Sequence, residues 1–318
     1  MNLSDNRIFV AGSTGMVGSA VCRELDRRGY GHVLKTNSSE LDLIAQSAVN
    51  DYFFRERPQI VILAAAKVGG ILANNTFRAE FIYNNLMIEA NIINAAFRHG
   101  AEKLIFLGSS CIYPKMADQP MTEEALLTGP IEFTNEPYAI AKIAGIKLCE
   151  SYYRQYGCNF ISAMPTNLYG ERDNFDLNTS HVIPALIRKF HEAKMSGAAD
   201  VTAWGTGEPM REFLYVDDLA EAVVFMMENV GAVDLYDKGI SHLNVGSGQD
   251  LRISDLAERI RTVVGFEGVI KFDTSKPDGT PRKLMSVDRI EKLGWKHTTT
   301  IGDGLERTYR WFIENCCK

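Results

Sequence analysis

The run Arg7-Ile8-Phe9-Val10-Ala11 passes directly into Gly12-Ser13-Thr14-Gly15-Met16-Val17-Gly18, and a helix-period segment follows from about Met16 to Arg28. Few folds tolerate that order. The apolar run lacks the alternation of a half-exposed strand, so it predicts a short strand buried on both faces. Glycines at three-residue spacing predict a tight turn with bare backbone. The turn opens a helix, whose N-terminus offers unpaired N–H groups to an anion. Strand, bare turn and helix together fit the cradle of a dinucleotide pyrophosphate.

The same alternation continues. Val33–Lys35, Ile60–Ala65, Leu104–Gly108 and Phe160–Met164 read as strands, with helix-period segments Ala48–Glu56, Phe81–His99 and Tyr138–Tyr156 between them. That order predicts an α/β chain with a doubly wound parallel sheet covered on both faces. After Pro165 the pattern loosens: Asn167–Thr179 reads as a polar loop, Ile183–Lys194 as a helix and Val201–Trp204 as a strand. Leu243–Val245 reads as a late strand and Ser254–Val264 as a helix. The expected division is a cofactor domain, 1–165 with returning segments near 212–248, and a smaller interleaved C-terminal substrate domain, 166–211 and 249–318.

Lys and Arg number 34 against 40 Asp and Glu, a net charge of −6, which argues against bulk nucleic-acid binding and leaves room for a local basic pocket. The cysteines (Cys22, Cys111, Cys149, Cys158, Cys316, Cys317) have no CxxC spacing, so no metal site is expected and a reducing, cytoplasmic setting is. A strand beginning near Arg7 leaves no room for a signal peptide. The longest apolar run, Ile60 to Ala66, is too short to span a bilayer.

Chemistry concentrates downstream. Ser109 stands at the carboxyl end of a predicted strand, where open α/β sheets bind ligands. Tyr138 and Lys142 are four residues apart, hence on one helix face. An ammonium beside a phenol is expected to lower its pKa from about 10, letting Tyr138 exchange a proton with a carbonyl oxygen near neutral pH. With the dinucleotide turn, this describes hydride chemistry on a C–OH or C=O group. Cys111, two positions beyond Ser109, and His181, opening an apolar helix, are candidate acids and bases. Their ordinary roles would be an inert buried thiol and a helix-start histidine. Lys35-Thr36-Asn37-Ser38-Ser39 carries no acid before Glu40, which leans toward NADP rather than NAD. Asp42 is an adenine contact or a helix N-cap.

These residues resemble the extended short-chain dehydrogenase/reductase superfamily, and within it the epimerase/reductases of GDP-4-keto-6-deoxy-D-mannose. The likeness runs through Leu63–Ile71, Leu107–Pro114, Asn135–Lys142, Met164–Gly170, Ser180–Pro184, Met210–Phe213 and Lys276–Lys283. It implies a Rossmann-type cofactor domain, NADP(H), a GDP-sugar substrate and a homodimer. Cofactor contacts are implied at the Gly12–Gly18 turn, at Ser38-Ser39-Glu40-Leu41-Asp42-Leu43, at Leu107-Gly108-Ser109-Ser110, at Lys142, at Pro165-Thr166-Asn167-Leu168 and at His181. Substrate contacts are implied at Lys189, Trp204, Arg211 and Asp278. The resemblance also implies two stages: Cys111 and His181 exchange the protons at C3 and C5, and hydride then reaches C4 while Tyr138 protonates its oxygen. Lys142 would tune the tyrosine and hold the nicotinamide ribose.

Some relatives carry arginines where Thr14 and Ser38 stand, so the 2′-phosphate falls to Lys35, Thr14 and Ser38, with NAD the alternative. A sister reaction on a 3,6-dideoxy sugar (colitose formation) would need one inversion fewer. A 4,6-dehydratase would want an acid where Ser110 and Cys111 stand, and a 4-epimerase would leave Cys111 and His181 without a task. A dead cofactor-sensing regulator would have lost Tyr138 or Lys142, and both are present.

Overall fold

A computed structural model describes residues 5–276 and 278–317. In chain order the first half contains β1 (Ile8–Ala11), α1 (Met16–Arg27), β2 (Val33–Lys35), α2 (Gln46–Glu56), β3 (Ile60–Leu63), α3 (Ile71–Thr76), α4 (Arg78–Arg98), β4 (Lys103–Leu107), α5 (Glu136–Tyr156) and β5 (Phe160–Pro165). The second half contains β6 (Asn167–Tyr169), α6 (Val182–Ser196), β7 (Asp200–Trp204), β8 (Met210–Tyr215), α7 (Val216–Asn229), α8 (Ala232–Tyr236) and β9 (Leu243–Val245). It ends with β10 (Asp250–Arg252), α9 (Ile253–Val264), β11 (Val269–Asp273), β12 (Arg282–Lys283), α10 (Asp288–Lys292) and α11 (Ile301–Cys316).

The main sheet runs β2-β1-β3-β4-β5-β9, every pairing parallel. All residues of β1, β3, β4 and β5 are buried, as their unbroken apolar runs require of strands covered on both faces. One side is packed by α1 and α7 with β-strand residues Ile8, Ile62 and Ile105. The other is packed by α2, α4 and α5 around Phe9, Val61 and Phe106. A third core gathers α6, α9 and α11 against β8, centred on Phe190, Leu256 and Leu305. Val287, Ile290 and Trp295 join the first core, because α10 covers the β9 edge of the main sheet.

Two ties matter for the site. Lys103, at the start of β4, is buried, and its ammonium donates to the carbonyls of Met226 (2.9 Å), Met227 (2.6 Å) and Val230 (2.6 Å). It thus satisfies the orphan acceptors at the end of α7. Glu212 of β8, wholly buried, accepts from the backbone N–H of Gly248 (2.8 Å) and Met285 (3.0 Å), clamping two distant segments to that strand.

Most elements lie within a few residues of where the sequence put them. The Ile60 strand ends at Leu63, two residues early; Ala64 N still donates to Ala11 O at 3.0 Å, and Ala65 passes beside Gly12. Asn167–Thr179 is not all loop: Asn167–Tyr169 pairs in parallel with Phe213–Tyr215.

Candidate functional site

The turn after β1 forms as its glycines demand. Gly12 has φ +84°, and a Cβ there would lie 2.8 Å from Ala65. A Cβ on Gly18 would run into the Gly12 carbonyl, so α1 can approach the turn only without a side chain there. Gly15 is the N-cap of α1, and no side chain caps that helix. Its first N–H groups therefore face an open cavity of ≈ 660 Å³ at the carboxyl ends of β1, β3, β4 and β5.

That cavity gathers most of the expected cofactor residues. Gly12, Thr14, Gly15, Met16, Val17 and Gly18 line it, with Ser38, Leu41, Asp42 and Leu43 further along. Leu107, Gly108, Ser109, Ser110, Tyr138 and Lys142 form one wall, and Pro165, Thr166, Asn167, Leu168 and His181 another. Asn167 Nδ2 and Thr166 Oγ1 donate to the Glu212 carbonyl at 2.8 and 3.3 Å, which fixes that wall to β8. Ser13, Ser39 and Glu40 are not in the lining. The Ser13 hydroxyl donates to Thr36 O at 3.0 Å, and Asn37 Oδ1 accepts from the N–H of Ser39 (2.9 Å) and Glu40 (3.2 Å), so these residues shape the turn from behind. Lys35 is exposed at the end of β2 and also lies outside the lining. The polar wall there consists of Thr14, Thr36, Asn37 and Ser38. Asp42 Oδ1 accepts from Ile44 N at 2.9 Å, a local turn rather than a helix N-cap.

Tyr138 and Lys142 do share a face, the ammonium lying 5.7 Å from the phenol ring centroid. The lowering expected from the ammonium meets opposing influences in the fold. Burial first, then the Cys111 thiol and the Glu89 carboxylate, push Tyr138 well above 10. The ammonium's charge is engaged elsewhere: Lys142 Nζ lies 3.0 Å from Glu89 Oε1 and donates to Leu107 O at 3.0 Å. Sequence reasoning missed Glu89, since an acid on a helix gives no sign of being 1% exposed.

Ser109 lies two residues past the end of β4, its N–H directed at Met164 Sδ (2.9 Å) and its hydroxyl accepting from Cys111 N (3.4 Å). Cys111 is 6% exposed and sits behind the cavity wall rather than in its lining. Burial raises its thiol, while Lys283, Ser109 and Lys142 oppose that rise. Lys283 was not singled out from sequence; β12 sets it opposite Arg211 on β8. His181 is the N-cap of α6 and opens onto the cavity, where burial by surrounding protein lowers its imidazole. Asp173, a second residue missed, lines the same cavity with an unpartnered Oδ2 and is pushed up to about 7 by burial.

The expected substrate residues form a separate cluster outside the cavity lining. Lys189 Nζ donates to Thr202 O at 3.0 Å and stands 5.5 Å from the Trp204 ring, which is 53% exposed. Asp278 accepts from Thr206 N (2.7 Å) and Oγ1 (2.8 Å), and Arg211 donates to Asp278 O (3.3 Å). Through Lys283, this cluster adjoins Cys111. Among the described residues no group of His, Cys, Asp and Glu could hold a metal ion.

The NAD dependent epimerase/dehydratase family model matches residues 8–246. A GDP-L-fucose synthase from Escherichia coli (strain K12) is 57% identical over 98% of both chains. A GDP-L-colitose synthase from Yersinia pseudotuberculosis is 37% identical over 96% of this chain and 98% of its own. The solved GDP-mannoheptose C4 reductase MlghC from Campylobacter jejuni, with NADP bound, superposes with TM-score 0.91 at 39% identity, covering 97% of this chain and 98% of that one.

Proposed function

Because this chain belongs to the NAD dependent epimerase/dehydratase family, we propose that it carries out the GDP-L-fucose synthase reaction. GDP-4-keto-6-deoxy-D-mannose is epimerised at C3 and C5 and then reduced at C4 with NADPH. The observation that carries this reading is the single cavity into which the glycine turn, Ser109, Tyr138, Lys142 and His181 all open. Identity of 57% to a GDP-L-fucose synthase, against 37% to a GDP-L-colitose synthase, favours the 6-deoxy over the 3,6-dideoxy sugar.

The turn fits the dinucleotide, since Gly12 and Gly18 leave no room for a Cβ and α1 begins uncapped. Backbone N–H groups of the turn would hold the pyrophosphate, Leu41, Asp42 and Leu43 would wall the adenine end, and Leu107, Gly108 and Pro165–Leu168 would wall the nicotinamide end. NADP, bound by a relative of 39% identity, is the dinucleotide this reading adopts. Thr14, Thr36, Asn37 and Ser38 would then receive the 2′-phosphate by hydrogen bonds in place of a cation. Bound and reduced, the dinucleotide supplies a hydride for C4.

The chain's own residues do the rest. Ser109 and Tyr138 donate hydrogen bonds to the C4 oxygen. Cys111 and His181 remove a proton beside that ketone and return one to the opposite face. The carbanion's charge passes to the same oxygen, where fixed donors stabilise it. In the reductive stage Tyr138 gives its proton to that oxygen, and the product is an alcohol. Arg211 suits the diphosphate, because a guanidinium binds oxygens in pairs. Lys189 and Asp278 add polar contacts, and the exposed Trp204 ring offers a packing face.

The division into a cofactor part (1–165 with 212–248) and a substrate part is supported by the separate cores on the main sheet and around Phe190. A cytoplasmic homodimer completes the proposal. Tyr83 and Ile140, exposed on the packed helices α4 and α5, offer apolar surface for a second copy. No helix among the described residues is long and apolar enough to cross a membrane.

Incubation with GDP-4-keto-6-deoxy-D-mannose and NADPH in heavy water tests the reaction. GDP-L-fucose labelled at C3 and C5 is expected. Reduced sugar without label at either carbon would refute the epimerase stage, and no reduction would refute the whole.

A further inference from the structure

We propose that Arg172 is a further cofactor residue: its guanidinium closes over the bridging pyrophosphate of the dinucleotide, opposite the uncapped N-terminus of α1. The inference rests on the cofactor reading given above and adds to it a cation that the glycine turn does not supply. A pyrophosphate carries a negative charge on each phosphate, whereas a helix N-terminus offers roughly half a positive charge. α1 has no side-chain cap and no acid in its first turn, so its N–H groups are free for an anion, yet they leave most of that charge unbalanced. The lysines and arginines of the cavity lining are Lys67, Lys142 and Arg172. Lys67 pairs with Glu80, and Lys142 lies 3.0 Å from Glu89. The Arg172 side chain is exposed and has no hydrogen bond or ion pair among the described residues.

The backbone holds Arg172 at the mouth of the cavity. Gly170 follows β6 and crosses the start of α7, where a Cβ would lie 2.5 Å from Val216. Glu171 Oε2 then reaches Arg23 Nη2 of α1 at 3.7 Å, and the same nitrogen contacts Asp217 of α7 at 2.6 Å. Asp173 N donates to Gly170 O at 3.3 Å, closing a tight turn pinned to both helices. Met16 and Val17 of α1 and Leu219 of α7 line the same cavity as Arg172. Within the turn Arg172 has φ +65°, a left-handed conformation that glycine or asparagine adopts at lower cost. Strain of this kind clusters where a side chain must meet a ligand. Asp173 lines the cavity as well; burial pushes its carboxyl up to about 7, and an arriving anion favours its neutral form further. It yields to a phosphate rather than repelling it. A guanidinium suits the task better than an ammonium, because its fork binds phosphate oxygens in pairs.

Dinucleotide fluorescence titration, without sugar, tests this directly. Arg172→Gln is expected to weaken NADPH and NADH by a common factor of about 10, the worth of a charge-assisted hydrogen bond. Arg172→Lys should keep part of the affinity, and raised salt should narrow the gap between parent and variants. Arg172→Gly relieves the left-handed backbone and is expected to bind as weakly as Arg172→Gln, which separates the side chain from the shape of the turn. GDP, titrated by calorimetry, is expected to bind all four proteins alike. A loss confined to NADPH would place Arg172 at the 2′-phosphate, and a loss confined to GDP would place it at the substrate diphosphate; either overturns the proposal. So would an Arg172→Gly protein that binds dinucleotide as the parent does. A parent that binds neither dinucleotide would overturn the cofactor reading and this inference with it. A parent that binds both, with every variant within about twofold of it, would overturn the inference alone.

Discussion

Acid should weaken this fold through His242. The residue is wholly buried between the main sheet and the segment that follows the Ser109–Cys111 turn. Its Nε2 lies 2.7 Å from the Tyr113 hydroxyl, which itself donates to Asn244 Oδ1. Nε2 therefore carries the proton, and Nδ1 accepts from the Ser241 hydroxyl at 2.8 Å. Burial first, then Lys147 and Arg289, push the imidazole down to about 3 from an ordinary value near 6.5. Above pH ~6.5 neither the folded nor the unfolded chain protonates this residue, so the full stability is present. Below that, the unfolded chain takes up a proton that the folded one refuses, and stability drains away until about pH 3. At ~1.4 kcal/mol per unit, the loss is about 2 kcal/mol by pH 5 and about 5 kcal/mol in full. His242→Gln keeps an amide toward Tyr113 and does not titrate. Urea unfolding of both proteins across this range should show the parent's advantage shrinking by about 2 kcal/mol between pH 7.5 and 5. An advantage that stays constant over that range would refute the neutral, buried imidazole.

Two further substitutions separate the stages of the reaction. Cys111→Ser should melt and bind NADPH like the parent, yet take up solvent deuterium into the sugar at least about 100-fold more slowly, the usual worth of a placed acid or base. Unchanged exchange in mass spectra would remove Cys111 from the chemistry. Gly18→Ala should push α1 off the Gly12 carbonyl and weaken NADPH binding about 10-fold or more, as overpacking of about 1–3 kcal/mol implies. Dinucleotide fluorescence titration within about twofold of the parent would contradict that crowding.

The parts of the molecule visible in the sequence are those with a local signature. β1, β3, β4 and β5 announce themselves as unbroken apolar runs, because each is covered on both faces. The glycine turn and the Tyr138–Lys142 spacing are likewise local. The reading stopped short of α7, although Asp217, Glu221 and Glu228 give it a polar stripe opposite the apolar face that packs on α1 and β4. It also missed β8, β10, β11 and β12, short strands whose pairing depends on partners far away in the chain. Among site residues, Glu89, Asp173 and Lys283 escaped notice. Glu89 and Lys283 acquire their meaning from a group contributed by another element, and Asp173 from burial at the cavity wall. Spacing likewise revealed the lysine but not the buried acid 3.0 Å from it.

The main sheet is not contiguous in the chain, and this bears on how the protein is made. Residues up to Pro165 leave the ribosome with the outer edge of β5 unpaired, and with the apolar flank that α7 later covers still bare. Such an edge recruits other strands, and partly folded chains of this kind aggregate. Protection arrives with α7, held by its three carbonyls to Lys103, and with β9 some eighty residues after β5. A nascent chain must therefore hold its sheet incomplete during synthesis of that stretch. A fragment ending at Pro165 should scatter light as aggregate, whereas one continued past Val245 and α10 should not.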